Sequence, residues 1–437
     1  MKPRGPGGSQ SGWVRRLASV VLTRRLSVFL TLSTAVVGML AGVVVPLVER
    51  DIIDRVMVAH HGSARPYVIL IVAIAIATFG LSFLRRYFGG RLAFDVQHDL
   101  REQIFSHLQR LDFARHDELQ TGQLVSRANS DIGLVQGLLS FMPLMIGNLV
   151  MLAVSLVVMF VLSPELALVE TLALPLLAFV SVSLRSRVFP ASYDAQQKEG
   201  QVVTVAEESI AGVRVVKGFG REQAQVRSLA SAALELFQAR VRLVKLQAGL
   251  SSTLSAIPGI VQALVLLIGG YLALHGHLTV GTFLVFFSYI TQMQAPVRQL
   301  STLIAFSQQA RAGAERIFEL LDANPLVTDP AEPLTDFPAG DVVFSGVDFA
   351  YQPGSKVLDG LDLVVAAGRV TAVVGRSGSG KSTLALLLPR FYDVTGGAVT
   401  IGGVDIRSLR LSDLRKRIGV VFEESFLFSD TIAANIA

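Results

Sequence analysis

Arg369-Val370-Thr371-Ala372-Val373-Val374-Gly375-Arg376-Ser377-Gly378-Ser379-Gly380-Lys381-Ser382-Thr383-Leu384 decides how the rest of the chain is read. Val370 to Val374 form an apolar run of strand character, Gly375 to Gly380 a glycine-rich turn, and Ser382 to Leu388 an apolar helix. The spacing Gly375-x-x-x-x-Gly380-Lys381-Ser382 is that of a loop that holds phosphate groups. Glycine adopts dihedrals that a side chain forbids and lets backbone N–H groups close on phosphate oxygens. The helix that follows adds the positive end of its dipole. Lys381 is then placed to reach β- and γ-phosphates and the Ser382 hydroxyl to hold Mg²⁺. An ordinary glycine-rich turn would not call for a buried strand before it and an apolar helix after it.

The remainder of the 437 residues has a different texture: 51% are hydrophobic and only 17% charged. With a mean hydropathy of +0.54, membrane spans are expected. The absence of cysteine excludes disulfides, thiolate metal sites and cysteine nucleophiles. Six stretches approach the ~20 residues a bilayer requires: roughly 26–48, 67–88, 141–162, 166–188, 254–274 and 279–305. The first follows Arg15, Arg16, Arg24 and Arg25, but is too long for a signal-peptide core and lacks a small-residue cleavage site, so it reads as a retained span. Ser163-Pro164-Glu165 and His275-Gly276-His277-Leu278 are short connections without Lys or Arg, whereas 85–140 and 185–251 are long and basic. The positive-inside bias puts the N-terminus, both long segments and the phosphate loop on the cytoplasmic side. These basic residues serve topology; nucleic acid is not an expected partner.

Both long inner segments are expected to be helical extensions of the spans, turning at their far ends within Asp112–Thr121 and Gly212–Glu222. Phe94, Leu100, Ile104, Leu108 and Leu111 recur at helical spacing. A helical exit, Arg311 to Leu321, leads into a proline- and acid-rich linker, 322–340. Strands are expected at Val342–Tyr351, Leu361–Val365, within Thr395–Gly403, and, buried, at Val370–Val374 and Ile418–Phe422.

A six-span membrane region followed by a phosphate-loop region resembles the exporter-type half-transporters of the ABC transporter family. The likeness covers nearly the whole chain. It is carried by Thr121-Gly122-Gln123-Leu124-Val125-Ser126-Arg127 with Asp131, by Glu208 and Gly212 through Glu222, by Ala314-Glu315-Arg316-Ile317-Phe318-Glu319, by Phe344 to Tyr351, and by Leu427 to Ile432 with Asn435 and Ile436. The resemblance implies an N-terminal cytoplasmic segment (1–25), an α-helical six-span membrane domain (26–321), a linker (322–340) and the N-terminal part of an α/β P-loop ATP-binding domain (341–437). It implies ATP and Mg²⁺ as ligands. Tyr351 would stack on adenine, and Gly375, Arg376, Ser377, Gly378, Ser379, Gly380, Lys381, Ser382 and Thr383 would wrap the phosphates. The two inner turns would be coupling helices. The partners implied are a second, identical or different half-transporter, the lipid bilayer (a bacterial plasma membrane) and a transported substrate of unread class.

Two departures from the family pattern stand out. Glu423 occupies the position where the family places a metal-binding glutamine. A carboxylate remains a hard oxygen ligand for Mg²⁺ but adds charge beside the γ-phosphate. The signature motif, catalytic glutamate and switch histidine expected of the family would follow Ala437, so no catalytic residue is expected within this stretch, which reads as the front piece of a longer half-transporter with poor turnover by itself. Two other readings stay open: an importer of the same fold, for example of a siderophore, or a non-transporting ATP-binding regulatory subunit. A soluble P-loop kinase is excluded by the spans.

Inside the spans, Glu170 is a candidate for proton or substrate coupling. Standing about one turn beyond Glu165, it is expected to face the outer headgroups. His275 and His277 read as solvated residues rather than metal ligands. Asn148, Gln262, Gln292 and Gln294 line a pathway or bond between helices, and Pro143, Pro175, Pro258 and Pro296 mark candidate kinks. Glu423→Gln is expected to change the magnesium dependence and rate of ATP turnover; identical magnesium titrations of variant and parent would show the carboxylate to be an inert replacement.

Overall fold

The computed structural model describes residues 12–118, 124, 127–334, 336–352, 354–423 and 426–436. Two compact units emerge. The first holds the chain up to His98 and Gly133–Ala314; the second holds Asp99–Ile132 and Glu315–Ala437.

The first unit is helical because hydrocarbon offers no partner for a backbone N–H or C=O, so each span must satisfy its own. It contains α1 (Gly12–Val21), α2 (Arg25–Asp51), which continues as a π-helical turn (Ile52–Val58), and most of α3 (Arg65–Leu108). The short α4 (Phe113–Glu118) belongs to the second unit; α5 (Ile132–Leu162), α6 (Pro164–Ala211), α7 (Val213–Gly218), α8 (Glu222–Leu274) and α9 (Val280–Leu321) follow. Five helical stretches among the described residues are long and apolar enough to cross a bilayer: Gly12–Val58, Arg65–Leu108, Arg127–Leu162, Pro164–Ala211 and Glu222–Leu274. The sixth expected span is the helix α9, whose apolar run is interrupted by Thr291, Gln292 and Gln294.

Core packing in this unit joins α2, α5, α6, α8 and α9 through Val43, Met151, Met159, Leu166, Val261, Val265, Phe286 and Tyr289. The buried Tyr289 hydroxyl donates to the carbonyl of Val43 at 2.8 Å. Asp54 reaches the start of α9, where it accepts from the Gly281 N–H at 2.8 Å and the Thr279 hydroxyl at 2.6 Å. This approach needs glycine: a Cβ on Gly281 would lie 2.7 Å from the Arg50 carbonyl oxygen. Beyond the apolar core, α6 and α8 run side by side and are tied by Lys198–Glu235 (2.5 Å) and Arg240–Glu199 (2.8 Å).

In the second unit, β1 (Val342–Phe349), β2 (Leu358–Val365), β3 (Gly396–Ile401) and β4 (Val404–Asp405) form an antiparallel sheet in the order β2-β1-β3-β4. Phe344, Val347, Phe349 and Val399 pack from the sheet against Leu387 of α10 (Lys381–Leu387) and Leu414 of α11 (Leu411–Arg417). A last short helix, α12, spans Ile432–Ile436.

Two expected strands are corrected. Val370–Val374 and Ile418–Phe422 are irregular, and Val370, Val374 and Val421 are almost wholly exposed. Among the described residues no strand pairs with either, and a strand of parallel type is stable only when neighbours cover its edges and faces. Phe94 is also exposed, although Leu100, Ile104 and Leu111 of the same spacing are buried.

Within this unit a single carboxylate organises three pieces of chain. Asp112, 5% exposed, accepts from the Arg115 N–H at 2.9 Å, which caps α4, and from the N–H groups of Leu326 and Val327 (2.7 Å for Val327) in the segment after α9. His107 and Arg115 add contacts to the carbonyls of Ala323 (3.0 Å) and Asn324 (3.1 Å). Asp112→Ala is expected to cost about 2–4 kcal/mol, from a lost cap and two stranded N–H groups. The measurement is limited proteolysis: cleavage within 322–340 should accelerate in the variant.

Candidate functional site

The glycine-rich turn is closed by its own backbone. Gly378 and Gly380 take φ of 81° and 85°, the left-handed region open to glycine. A Cβ on Gly375 would meet the Ser379 hydroxyl at 2.8 Å, and one on Gly380 would meet Leu358 at 2.7 Å. The loop thus leans on β2 while Arg376, Ser377, Gly378 and Ser379 face solvent. Lys381 Nζ donates to the carbonyls of Gly375 (3.0 Å) and Arg376 (2.8 Å), which holds the ammonium over the loop. A cation over exposed backbone with no room for side chains fits an anionic, phosphate-like group.

Beneath the loop, Thr383 is buried and Ser382 exposed. The Thr383 hydroxyl lies 3.2 Å from the Tyr351 hydroxyl. Tyr351 keeps 46% of its surface exposed and meets Phe349 and Tyr392 edge-on, with centroids at 4.8 and 5.2 Å. Glu423 is exposed. No cluster of three or more His, Asp or Glu residues suited to a metal occurs among the described residues. Ser382 and Glu423 are both exposed and carry oxygen donors of the kind Mg²⁺ takes.

The structure adds residues that local spacing does not reveal. Tyr392, 9% exposed, donates its hydroxyl to Asp117 of α4 at 2.5 Å, and burial together with that carboxylate pushes its ionisation well above the usual phenol range. Phe113 of α4 packs on Phe391 with centroids 4.3 Å apart. The two hydrogen-bonded residues are 275 positions apart in sequence, so no short motif links them. The one available signal was the unexplained pair Phe391-Tyr392 just past the phosphate-loop helix.

The other singled-out positions divide. Both expected inner turns contain short helices, α4 and α7, although Leu119 to Thr121 lie outside the described residues. Of the Thr121–Arg127 motif, Thr121, Gly122, Gln123, Val125 and Ser126 also lie outside them. Arg127 lies 3.8 Å from Glu319, and the buried Asp131 accepts a two-pronged contact from Arg316 (Nε at 2.8 Å). Asn148 donates to Gln299 at 2.6 Å and Gln262 to Thr291 at 3.4 Å, so both make bonds between helices. His275 bonds the Tyr271 carbonyl within its own helix end. Glu170 requires a correction: it does not face the headgroups but is 3% exposed, enclosed between α6, α8 and α9, because the helix carries it about one and a half turns inward from the exposed Glu165.

A helical membrane unit and a sheet-containing unit with a phosphate loop define a multi-span membrane protein carrying a nucleotide-binding domain. Residues 28–297 match the family model of the ABC transporter transmembrane region and residues 358–436 that of the ABC transporter. The chain belongs to the ABC transporter family. It is 40% identical over 422 residues to a multidrug efflux ATP-binding/permease protein of Mycobacterium tuberculosis, an alignment covering 97% of this chain and 35% of that protein. It is 30% identical over 428 residues to an ATP-dependent lipid A-core flippase of Desulfotalea psychrophila, covering 97% of this chain and 74% of the flippase. The chain thus spans about a third of the length of its mycobacterial relative.

Tyr392→Phe keeps the ring and removes only the bond to Asp117. It should lower stability by about 1–2 kcal/mol, read from thermal unfolding in detergent, whereas Tyr351→Phe, which loses a longer bond between two neutral hydroxyls on a half-exposed residue, should cost less.

Proposed function

We propose that this chain is part of one half of an ATP-driven exporter, working with a second half-transporter in a bacterial plasma membrane. The observation that carries this reading is the Lys381 ammonium poised over the loop carbonyls in the same compact unit as α4. When ATP binds, Lys381 exchanges the carbonyls of Gly375 and Arg376 for β- and γ-phosphate oxygens, and the N–H groups of the loop up to Thr383 cradle the remainder. Tyr351 offers its exposed ring to adenine. Ser382 and Glu423 would hold Mg²⁺, which supplies charge neutralisation at the phosphates.

Movement at the nucleotide reaches α4 through Tyr351, Tyr392 and Asp117. The chain runs from α3, a single helix from Arg65 to Leu108, through a short connection into α4. Val213 and Val215 of α7 and Phe219 just past it are exposed apolar side chains, which supports a partner subunit that covers them. Relatives named for multidrug efflux and for flipping lipid A-core support an amphiphilic cargo.

Lys381→Ala should weaken binding of a fluorescent ATP analogue by about tenfold or more, the loss of charge-assisted bonds to phosphate. Tyr351→Ala should weaken it by about 1–3 kcal/mol through lost base stacking. Inside-out vesicles should accumulate an amphiphilic dye only with ATP and only with Lys381 present. Unchanged nucleotide affinity in Lys381→Ala, or accumulation that ignores ATP, would overturn the reading.

A further inference from the structure

Glu170 is the one acidic side chain enclosed within the apolar part of the membrane unit among the described residues, and neither nucleotide binding nor helix packing accounts for it. Its Oε2 is buried without a hydrogen-bond partner among the described residues. It borders a cavity of about 20 Å³ walled by Ala173 and Leu177 of α6, Pro258 and Val261 of α8, and Ile290 and Met293 of α9. Among the described residues the amide of Gln294 is the only other polar side chain in the wall, and no Lys, Arg, His, Asp or second Glu of the three helices lines it. An ionised carboxylate here would be a desolvated charge without a counter-charge, which is less favourable than taking up a proton. A neutral carboxylic acid has one O–H donor and needs far less from its surroundings. The cavity exceeds the ~10–15 Å³ that one water requires, so a single water can bridge the acid and the amide.

We propose that Glu170 is a proton-binding site of the membrane unit: it holds a proton while α6, α8 and α9 enclose it and releases that proton to water when the helices part. The O–H bond breaks, its electron pair stays on the carboxylate, and the proton passes to water that enters the widened cavity. Pro258, in the cavity wall, leaves α8 one backbone hydrogen bond short at this level, a place where the helix can yield. The release step rests on the ATP-driven reading above; occupancy by the proton does not.

A hydrophobic carbodiimide, which modifies protonated carboxyl groups in apolar surroundings, tests both halves in the full chain reconstituted in lipid vesicles, with peptide mass spectrometry as the readout. In nucleotide-free protein Glu170 should be modified at pH 7, and modification should fall about tenfold per pH unit above its midpoint. The Glu170→Gln protein should keep its fold, since the amide resembles the neutral acid, and lose the label at this peptide. Saturation with a non-hydrolysable ATP analogue and Mg²⁺, which needs no turnover, should cut the labelling at least several-fold. A Glu170 peptide that is recovered but unmodified at pH 7 overturns proton occupancy. Labelling that is unchanged in protein shown to retain the bound analogue overturns release. A protein that binds no analogue overturns the ATP-driven reading, while the pH dependence without nucleotide still decides whether Glu170 holds the proton.

Discussion

The carboxylate of Asp112 is the point on which the second unit depends. One buried side chain accepts N–H groups from the start of α4 and from the segment that follows α9. Those pieces lie more than two hundred positions apart in the chain, at sequence separations of 214 and 215. A carboxylate with three backbone donors is satisfied in a way a neutral side chain of its size cannot match, and charge-assisted bonds of this kind are about twice as strong as neutral ones. The Phe113–Phe391 contact, the Asp117–Tyr392 bond and the Arg115–Asn324 bond add to this hold on α4.

The membrane unit follows a different constraint. Apolar side chains on the spans gain little by leaving lipid for one another, so association relies on close packing and on polar groups that find partners. Gly281 against Arg50 and Asp54 serves the first purpose, and Asn148–Gln299 and Tyr289–Val43 serve the second. Glu170 is the acidic exception to this scheme, since one of its oxygens finds no partner among the described residues. Its depth could not be read from sequence, because Glu165 and Glu170 differ by only five positions, yet one is exposed and the other enclosed. Whether a helix presents a given residue to lipid, to water or to its neighbours depends on its rotation, and that is set by the packing of all the spans together.

At the phosphate loop, local and non-local information separate cleanly. Glycine spacing, the lysine after it and the helix start are consequences of a few neighbouring residues, and the structure reproduces them as positive φ values and a lysine folded over its own loop. The buried strands expected at Val370–Val374 and Ile418–Phe422 are not reproduced. Val370–Val374 has the composition of a buried strand, but composition supplies only a willingness to be covered; pairing needs another strand at its edge. The antiparallel strands β1, β2 and β3 are reproduced: β1 and β2 pair across a short connection, whereas β3 returns to β1 from beyond the phosphate loop and its helix.

What the amino-acid order alone determined was therefore everything with a short range or a strong average. The apolar runs demanded helices in a bilayer, the basic segments between them set the expected sidedness, and the spacing from Gly375 to Ser382 set the glycine-rich loop and the place of its lysine. Tertiary structure alone decided the long-range pairings: Asp112 with Leu326 and Val327, Asp117 with Tyr392, Arg316 with Asp131, and the enclosure of Glu170. The physical reason is one of distance along the chain. A hydrogen bond or a buried charge is fixed by which groups arrive within about 3 Å of each other, and no periodicity in a sequence records which of many distant segments will do so.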